Sequence, residues 1–239
     1  MKKIFKIKFF TKNKGFSKGI YKSLNCGLRS KDDPFIVKKN IIKATSEISK
    51  QKKILVLPQQ FHSNKCLIVN KSLKNYECDG LVTNNLDIIL GVTTADCLPI
   101  IFVDPKSKVI GICHAGWRGL LNGIIENTLI KMIKLNSKKS KIHAFIGPCI
   151  RKMSYEVSEA FINDLKPKYC NFSYKNKGRF YYDLPKLAEF ILKEADISKI
   201  HDTKKNTFVD NNYFSYRESK KRNFSDYGRN ISMVTLNRI

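Results

Sequence analysis

Cysteine and histidine are the side chains with the widest chemical range, and one stretch of this chain brings them close. Cys97 and His114 stand at the edges of the apolar runs in GVTTADCLPIIFVDPKSKVIGICHAGWRG, residues 91 to 119. A third such residue, His62, lies earlier in the polar segment Gln59-Gln60-Phe61-His62-Ser63-Asn64. A thiolate is a nucleophile or a soft metal ligand, and an imidazole is a base, a proton shuttle or a ligand. Catalytic zinc sites take three such protein ligands and keep a fourth position open. Cys97 and His114 also fit a metal-free nucleophile and base, as in a cysteine hydrolase or amidase. The residue types allow quieter roles too. Cys97 fits a buried small hydrophobe, His62 a turn residue bonded to backbone, and His114 a satisfied core histidine. His143, between apolar residues, and His201, in a polar loop, suit structural roles, as do Cys66 and Cys149.

The flanking residues add to this. Successive strand side chains point to opposite faces, so Cys113 and His114 separate, one to the core and one to a site. Gly116 and Gly119 permit close backbone approach, and Trp117-Arg118 fall in the first turn of a following helix. A helix start carrying an arginine favours an anion.

The elements that must position these residues follow from periodicity. IFKIKFF, residues 4 to 10, alternates as a half-exposed strand. Asp32-Asp33-Pro34 opens a helix over 35–49, with Ile36, Val37, Asn40, Ile41, Ala44 and Ile48 at helical spacing. Strands are expected over 53–57, 66–69 and 81–83, in the apolar run 86–92, and over 98–103, 109–113, 142–146, 179–184 and 231–236. The turn Asp104-Pro105-Lys106-Ser107 makes 98–113 a hairpin. Helices are expected over 120–133, 158–165 and 185–195. Mixed spacings of this kind predict an α+β fold with a mixed sheet. No composition break, repeat or linker divides the 239 residues, so one domain over 1–239 is expected.

The bulk properties narrow the function. Hydrophobic residues are 42% and charged residues 27%, a globular balance. No apolar run approaches the roughly 20 residues that cross a bilayer, and lysines interrupt the N-terminal segment where a signal peptide would need an apolar run. A cytoplasmic protein without a membrane partner is expected. The formal net charge is +25, from 45 basic and 20 acidic residues. Only eight of the basic residues are arginine, and lysine is spread over the whole length. With no helix-turn-helix or zinc-finger signature, specific nucleic-acid binding is not expected, although salt-sensitive attraction to polyanions is. Seven cysteines with no CxxC pair suit free thiols rather than a disulfide framework.

His62 after Gln60, Asp79-Gly80 followed by a threonine, TTADCLP, HAGWRG and IGPCI together resemble the laccase-domain family. That family has been labelled polyphenol oxidase and is associated with zinc-dependent purine nucleoside phosphorolysis and adenosine deamination. The resemblance runs nearly end to end, from Ser23-Leu24-Asn25-Cys26-Gly27 to Tyr213–Arg217 and Gly228-Arg229. The pairing of ADCLP with HAGWRG makes it specific. It implies that His62, Cys97 and His114 are the metal ligands and so the catalytic centre. It implies a layered α/β/β/α sandwich similar to cytotoxic necrotizing factor catalytic domains. The implied cofactor is Zn²⁺, with Cu²⁺ as an ion taken up in vitro. The implied substrates are phosphate and purine nucleosides: adenosine and inosine, with guanosine and methylthioadenosine as further candidates. For that chemistry Arg118 would hold phosphate rather than serve as a helix-surface charge; Asn25 and Tyr216 would contact the nucleoside or serve in turn bonding and aromatic packing; and Asp96 or Asp79 would carry protons, with support of the metal ligand or a turn cap an equal reading of Asp96. A monomer or small homo-oligomer is expected. Copper-dependent phenol oxidation remains as an older alternative. A trinuclear centre beside a blue-copper site, however, needs more histidines than the four in this chain. Three departures from the family pattern bear on the rim of the site: Ser63 after the histidine, Asn206-Thr207 where relatives often carry cysteine, and Glu218 after Arg217.

Overall fold

A computed structural model describes residues 4–70 and 76–238. In chain order the strands are β1 (Phe5–Phe9), β2 (Ile54–Val56), β3 (Cys66–Ile68), β4 (Gly80–Thr83), β5 (Ile88–Thr94), β6 (Leu98–Asp104), β7 (Val109–Ala115), β8 (His143–Ile146), β9 (Glu156–Val157), β10 (Ser173–Asn176), β11 (Arg179–Tyr182), β12 (Lys199–Asp202) and β13 (Asn230–Leu236). The α-helices are α1 (Pro34–Ile48), α2 (Trp117–Leu121), α3 (Ile124–Lys134), α4 (Glu159–Asn163), α5 (Pro167–Cys170), α6 (Leu184–Glu194) and α7 (Tyr216–Lys221).

The alternation of side chains along the strands sorts the chain into layers. A four-stranded sheet runs β1-β13-β5-β2 and a six-stranded sheet runs β12-β8-β6-β7-β4-β3, both mixed. Ile89, Ile231 and Met233 turn outward to meet Ala44 and Ile48 of α1. Their neighbours Ile88, Leu90 and Val234 turn inward and meet Ile101, Val103, Ile110 and Ile112 of the other sheet. Ile100, Phe102, Val109 and Cys113 face the far side, against α3 and α6 through Leu129, Met132, Leu187 and Ile191. The order helix, sheet, sheet, helix follows, with three cores filling the three gaps. Each fully buried Ile, Leu or Phe contributes about 1.5–3 kcal/mol of transfer free energy. A small sheet, β10-β11-β9, is separate from both.

Local chemistry sets the ends of α1. Asp33 accepts from the Phe35 N–H and Pro34 occupies the first turn. The expected hairpin is β6-β7, paired from Leu98↔Ala115 to Asp104↔Val109, and the Asp104 carboxylate accepts from the N–H groups of Lys106 and Ser107 inside the turn. The single helix expected over 120–133 is two. It breaks at Gly123, whose φ of 93° lies in the left-handed region, so α3 starts afresh after α2. β10 and β12 were not anticipated, because SYKN and KIHD carry no run of apolar residues. His201, expected in a loop, is in β12 and stacks on Phe145.

Candidate metal centre

His62, Cys97 and His114 converge. One ligand atom from each lies within 4.8 Å of the others. Cys97 Sγ is 3.9 Å from His62 Nε2, and the two imidazoles meet edge to face at 4.7 Å between centroids. Each arrives from a different element. His114 is the penultimate residue of β7 and is buried, opposite in facing to the core residue Cys113, as strand alternation requires. Cys97 is the last residue of the three-residue link, Ala95 to Cys97, between β5 and β6. His62 lies in the loop between β2 and β3 and takes φ of 63°.

Asp79 organises two of the three. Its carboxylate is fully buried. Oδ1 sits 2.8 Å from His114 Nδ1 and accepts from the His62 N–H at 3.1 Å. Oδ2 accepts from the Ser63 N–H and hydroxyl, both at 2.7 Å, and from the Phe61 N–H at 3.3 Å. An ionised carboxylate only accepts, so Nδ1 of His114 carries the proton and Nε2 is left to the site. Burial alone would raise the Asp79 carboxyl, but the bonds from His114 and Ser63 outweigh it and hold it below the usual carboxylate range. Ser63, a departure from the family pattern, thus gives Asp79 one more donor. Gln60 fastens the same loop to β5, exchanging bonds with the backbone of Thr93.

The residues present fit a metal ion. The donors are one thiolate and two imidazoles, which suits Zn²⁺ or copper. The 3.9 Å separation of sulfur and nitrogen approaches the roughly 3.6 Å expected of two ligands on one tetrahedral zinc. Burial pushes the Cys97 thiol up, but the neighbouring imidazoles, His114 foremost, pull it down to about 6. Burial lowers His114, yet Cys97 and Asp79 together raise it to about 9. Each member of the pair thus favours the charged form of the other. Gly116 completes the cradle. A Cβ there would stand 3.0 Å from His62 Cδ2 and 3.1 Å from Cys97 Sγ. Among the described residues this is the one cluster of three or more such ligands.

A cavity of about 500 Å³ adjoins the cluster, and all three ligands line it. Phe61, Tyr76 and Tyr227 give it aromatic walls, and Arg29 and Arg229 give it charge. The expected substrate residues lie elsewhere. Asn25 is fully buried and outside the cavity lining. Its Nδ2 donates to Ser30 and Asp32, and its Oδ1 accepts from the Gly27 and Arg229 N–H groups. Arg118 is exposed on α2, its guanidinium 4.2 Å over the Trp117 ring. Tyr216 opens α7 and meets Tyr227 edge to face at 5.0 Å. Asp96 accepts from the Thr207 and Ser215 hydroxyls and the Arg217 N–H, so both oxygens are occupied. That explains Thr207, the second departure: it ties the C-terminal loop to the residue before Cys97. Cys149 is core, as expected. Arg29 and Arg229 had no signal of their own beyond the Gly-Arg pair.

The sequence model of the family described as multi-copper polyphenol oxidoreductase laccase matches residues 6–237, and the chain belongs to that family. A Rickettsia conorii protein named purine nucleoside phosphorylase is 31% identical over 228 residues, spanning 88% of this chain and 93% of the relative. A protein of the same name from Corynebacterium glutamicum is 31% identical over 214 residues, 87% of each chain. The crystal structure of YlmD from Geobacillus stearothermophilus superposes with a TM-score of 0.88 at 25% identity, covering 98% of this chain and 93% of that one. The fold is thus a mixed α+β domain shared with these neighbours. Among the described residues no helix is long and apolar enough to cross a membrane.

Proposed function

We propose that this chain is a zinc-dependent purine nucleoside enzyme. It cleaves adenosine and inosine with phosphate to give the free base and ribose 1-phosphate, and it also deaminates adenosine. The observation that carries the reading is the meeting of His62, Cys97 and His114 in the wall of a cavity lined by aromatic rings and arginines. The names of the relatives support phosphorolysis, and deamination rests on the family resemblance alone.

His62, Cys97 and His114 would hold the metal. When bound, it supplies Lewis acidity at the cavity wall, polarising a group placed beside it. The protein does the rest by placement. Phosphorolysis forms a bond from a phosphate oxygen to C1′ and breaks the bond from C1′ to N9. The electron pair leaves with the purine, which takes up a proton. Phe61 and Tyr227 offer ring faces to a base, and arginine offers a planar fork of donors to phosphate. Asp79 holds His114 in one tautomer and is fully engaged in doing so. The three bonds that Asp96 accepts suit an anchor.

The test is adenosine incubated with zinc-loaded protein, with and without phosphate. Adenine formed only with phosphate supports phosphorolysis, inosine supports deamination, and neither product refutes the reading. A second reading, a cysteine hydrolase, draws on the closeness of Cys97 and His114 and on the lowering of the thiol by the neighbouring imidazoles. Activity that survives complete metal removal would favour it. Phenol oxidation only after copper loading would mark copper as adventitious.

A further inference from the structure

Only eight of the 45 basic residues are arginine, and their pairing divides them cleanly. Arg151, Arg179, Arg222 and Arg238 each pair with a carboxylate, those of Asp202, Glu156, Glu218 and Asp87. Arg29, Arg118, Arg217 and Arg229 form no salt bridge among the described residues. Arg118 lies on Trp117, and Arg217 lies over Tyr155 with its Nη1 donating to the Glu156 carbonyl. Arg29 and Arg229 both line the cavity that His62, Cys97 and His114 line. Among the described residues no aspartate, glutamate or lysine lines it. A guanidinium carries five N–H donors. Arg29 uses two atoms on the Gln60 carbonyl and Gln59 Oε1, and Arg229 uses Nη1 on the Tyr227 carbonyl. Most of their donors remain for something else.

Arg229 is placed with care. Its backbone N–H donates to Asn25 Oδ1, and its carbonyl accepts from the Cys26 N–H. Its guanidinium lies 4.3 Å from the Tyr227 ring centroid. A Cβ on Gly27 would stand 2.7 Å from Arg229 Cδ, so this glycine makes room for the side chain. The nearby Asp226 attracts Arg229 through space, but it forms no salt bridge with it, and its Oδ2 accepts from the Tyr21 hydroxyl and the Lys31 N–H. The Ser23–Gly27 segment therefore positions an arginine.

We infer that Arg29 and Arg229 form the phosphate subsite of this cavity, binding inorganic phosphate and the phosphate of the sugar product, with Asn25 and Gly27 as positioning residues. This deepens the phosphorolysis reading and moves the phosphate contact away from Arg118. An anion between two guanidiniums is held by charge-assisted, two-point hydrogen bonds. The aromatic walls and the metal cluster then bound the space left for the nucleoside.

The first test labels the zinc-loaded wild-type protein with phenylglyoxal, with and without saturating inorganic phosphate, and reads each arginine by peptide mass spectrometry. Protection of Arg29 and Arg229 but not Arg118 or Arg217 is expected. Protection of Arg118 instead, or of none, overturns the inference. The second test is Arg229→Met, with zinc content measured alongside. The KM for phosphate should rise about tenfold or more, well beyond any change in the KM for adenosine. Wild-type phosphorolysis with an unchanged phosphate KM in this variant refutes the subsite and leaves the functional reading standing. Phosphate protection of the two arginines in a protein that makes no ribose 1-phosphate does the reverse. If Arg229→Met does not fold, the labelling of the wild-type protein decides.

Discussion

Asp79 and His114 are bound twice: Asp79 Oδ1 lies 2.8 Å from His114 Nδ1, and the Asp79 carbonyl accepts from the His114 backbone N–H at 2.8 Å. The strand pairing carries this through, since Gly80 is in register with Cys113. The ligand's ring and its backbone are thus fixed by one residue. Asp79→Asn keeps the shape, yet it removes the charge and turns one acceptor into a donor facing N–H groups of residues 61–63. The expected result is a loss of zinc affinity of about 10- to 100-fold, measured against a competing chelator. A fall in thermal stability should accompany it, because at least one buried donor is left unmet.

Gly116 tests the cradle from the backbone side. Its φ of −75° is open to any residue, and a Gly→Ala change at a compatible site stabilises by about 0.4–1 kcal/mol through the unfolded state. Here the added methyl would press on His62 and Cys97. Gly116→Ala should therefore keep or raise the melting temperature of the metal-free protein and lower its zinc occupancy. A variant with full zinc occupancy would show that the ligands sit further from Gly116 in the metal-bound protein.

Asp96 separates an anchor from a proton carrier. It takes φ of 82° and receives three donors from residues 207–217. Burial raises its carboxyl despite those bonds. Asp96→Ala removes all three and leaves two hydroxyls and an N–H unpaired, at a cost of about 3 kcal/mol or more. Unfolding by urea should show the loss, while the folded fraction keeps its turnover per bound zinc within a few-fold. A fall of a hundredfold or more in that turnover would restore the proton-carrying role.

The layers were legible wherever apolar residues alternate or repeat. β5, β6, β7 and β13 are rich in Ile, Leu and Val, and α1 and α6 show clean helical spacing. β12 was not legible, because an edge strand reading KIHD buries too little to leave a pattern. The break at Gly123 was hidden because apolar residues continue on both sides of it. Cys97 and His114 stood out through their place at strand ends, but nothing local ties His62 to them. The tie is Asp79, which bonds both the His62 loop and His114 across sequence gaps no periodicity can show. Asn25 left two readings open, a nucleoside contact or turn bonding, and local pattern could not show its bond to the Arg229 N–H, 204 residues away.

Metal removal decides what Cys97 is. Cys97 and Cys170 are the two cysteines that are not buried, and the other five are buried thiols. Burial pushes Cys26, Cys66 and Cys78 up to about 12, so they stay protonated at neutral pH. Cys97 alone has imidazoles beside its sulfur, which favours the thiolate that alkylating agents attack. Protein stripped with a strong chelator should therefore be alkylated by iodoacetamide first at Cys97, read by peptide mass spectrometry. Zinc added beforehand should block that reaction, because the sulfur's lone pair is then committed to the metal. Nucleoside turnover should vanish with the metal and return with zinc, and Cys97→Ser should bind zinc far more weakly. A metal-free nucleophile predicts the opposite on each count. Chelation would leave turnover intact, zinc would inhibit rather than restore it, and alkylation of Cys97 would end it with or without metal.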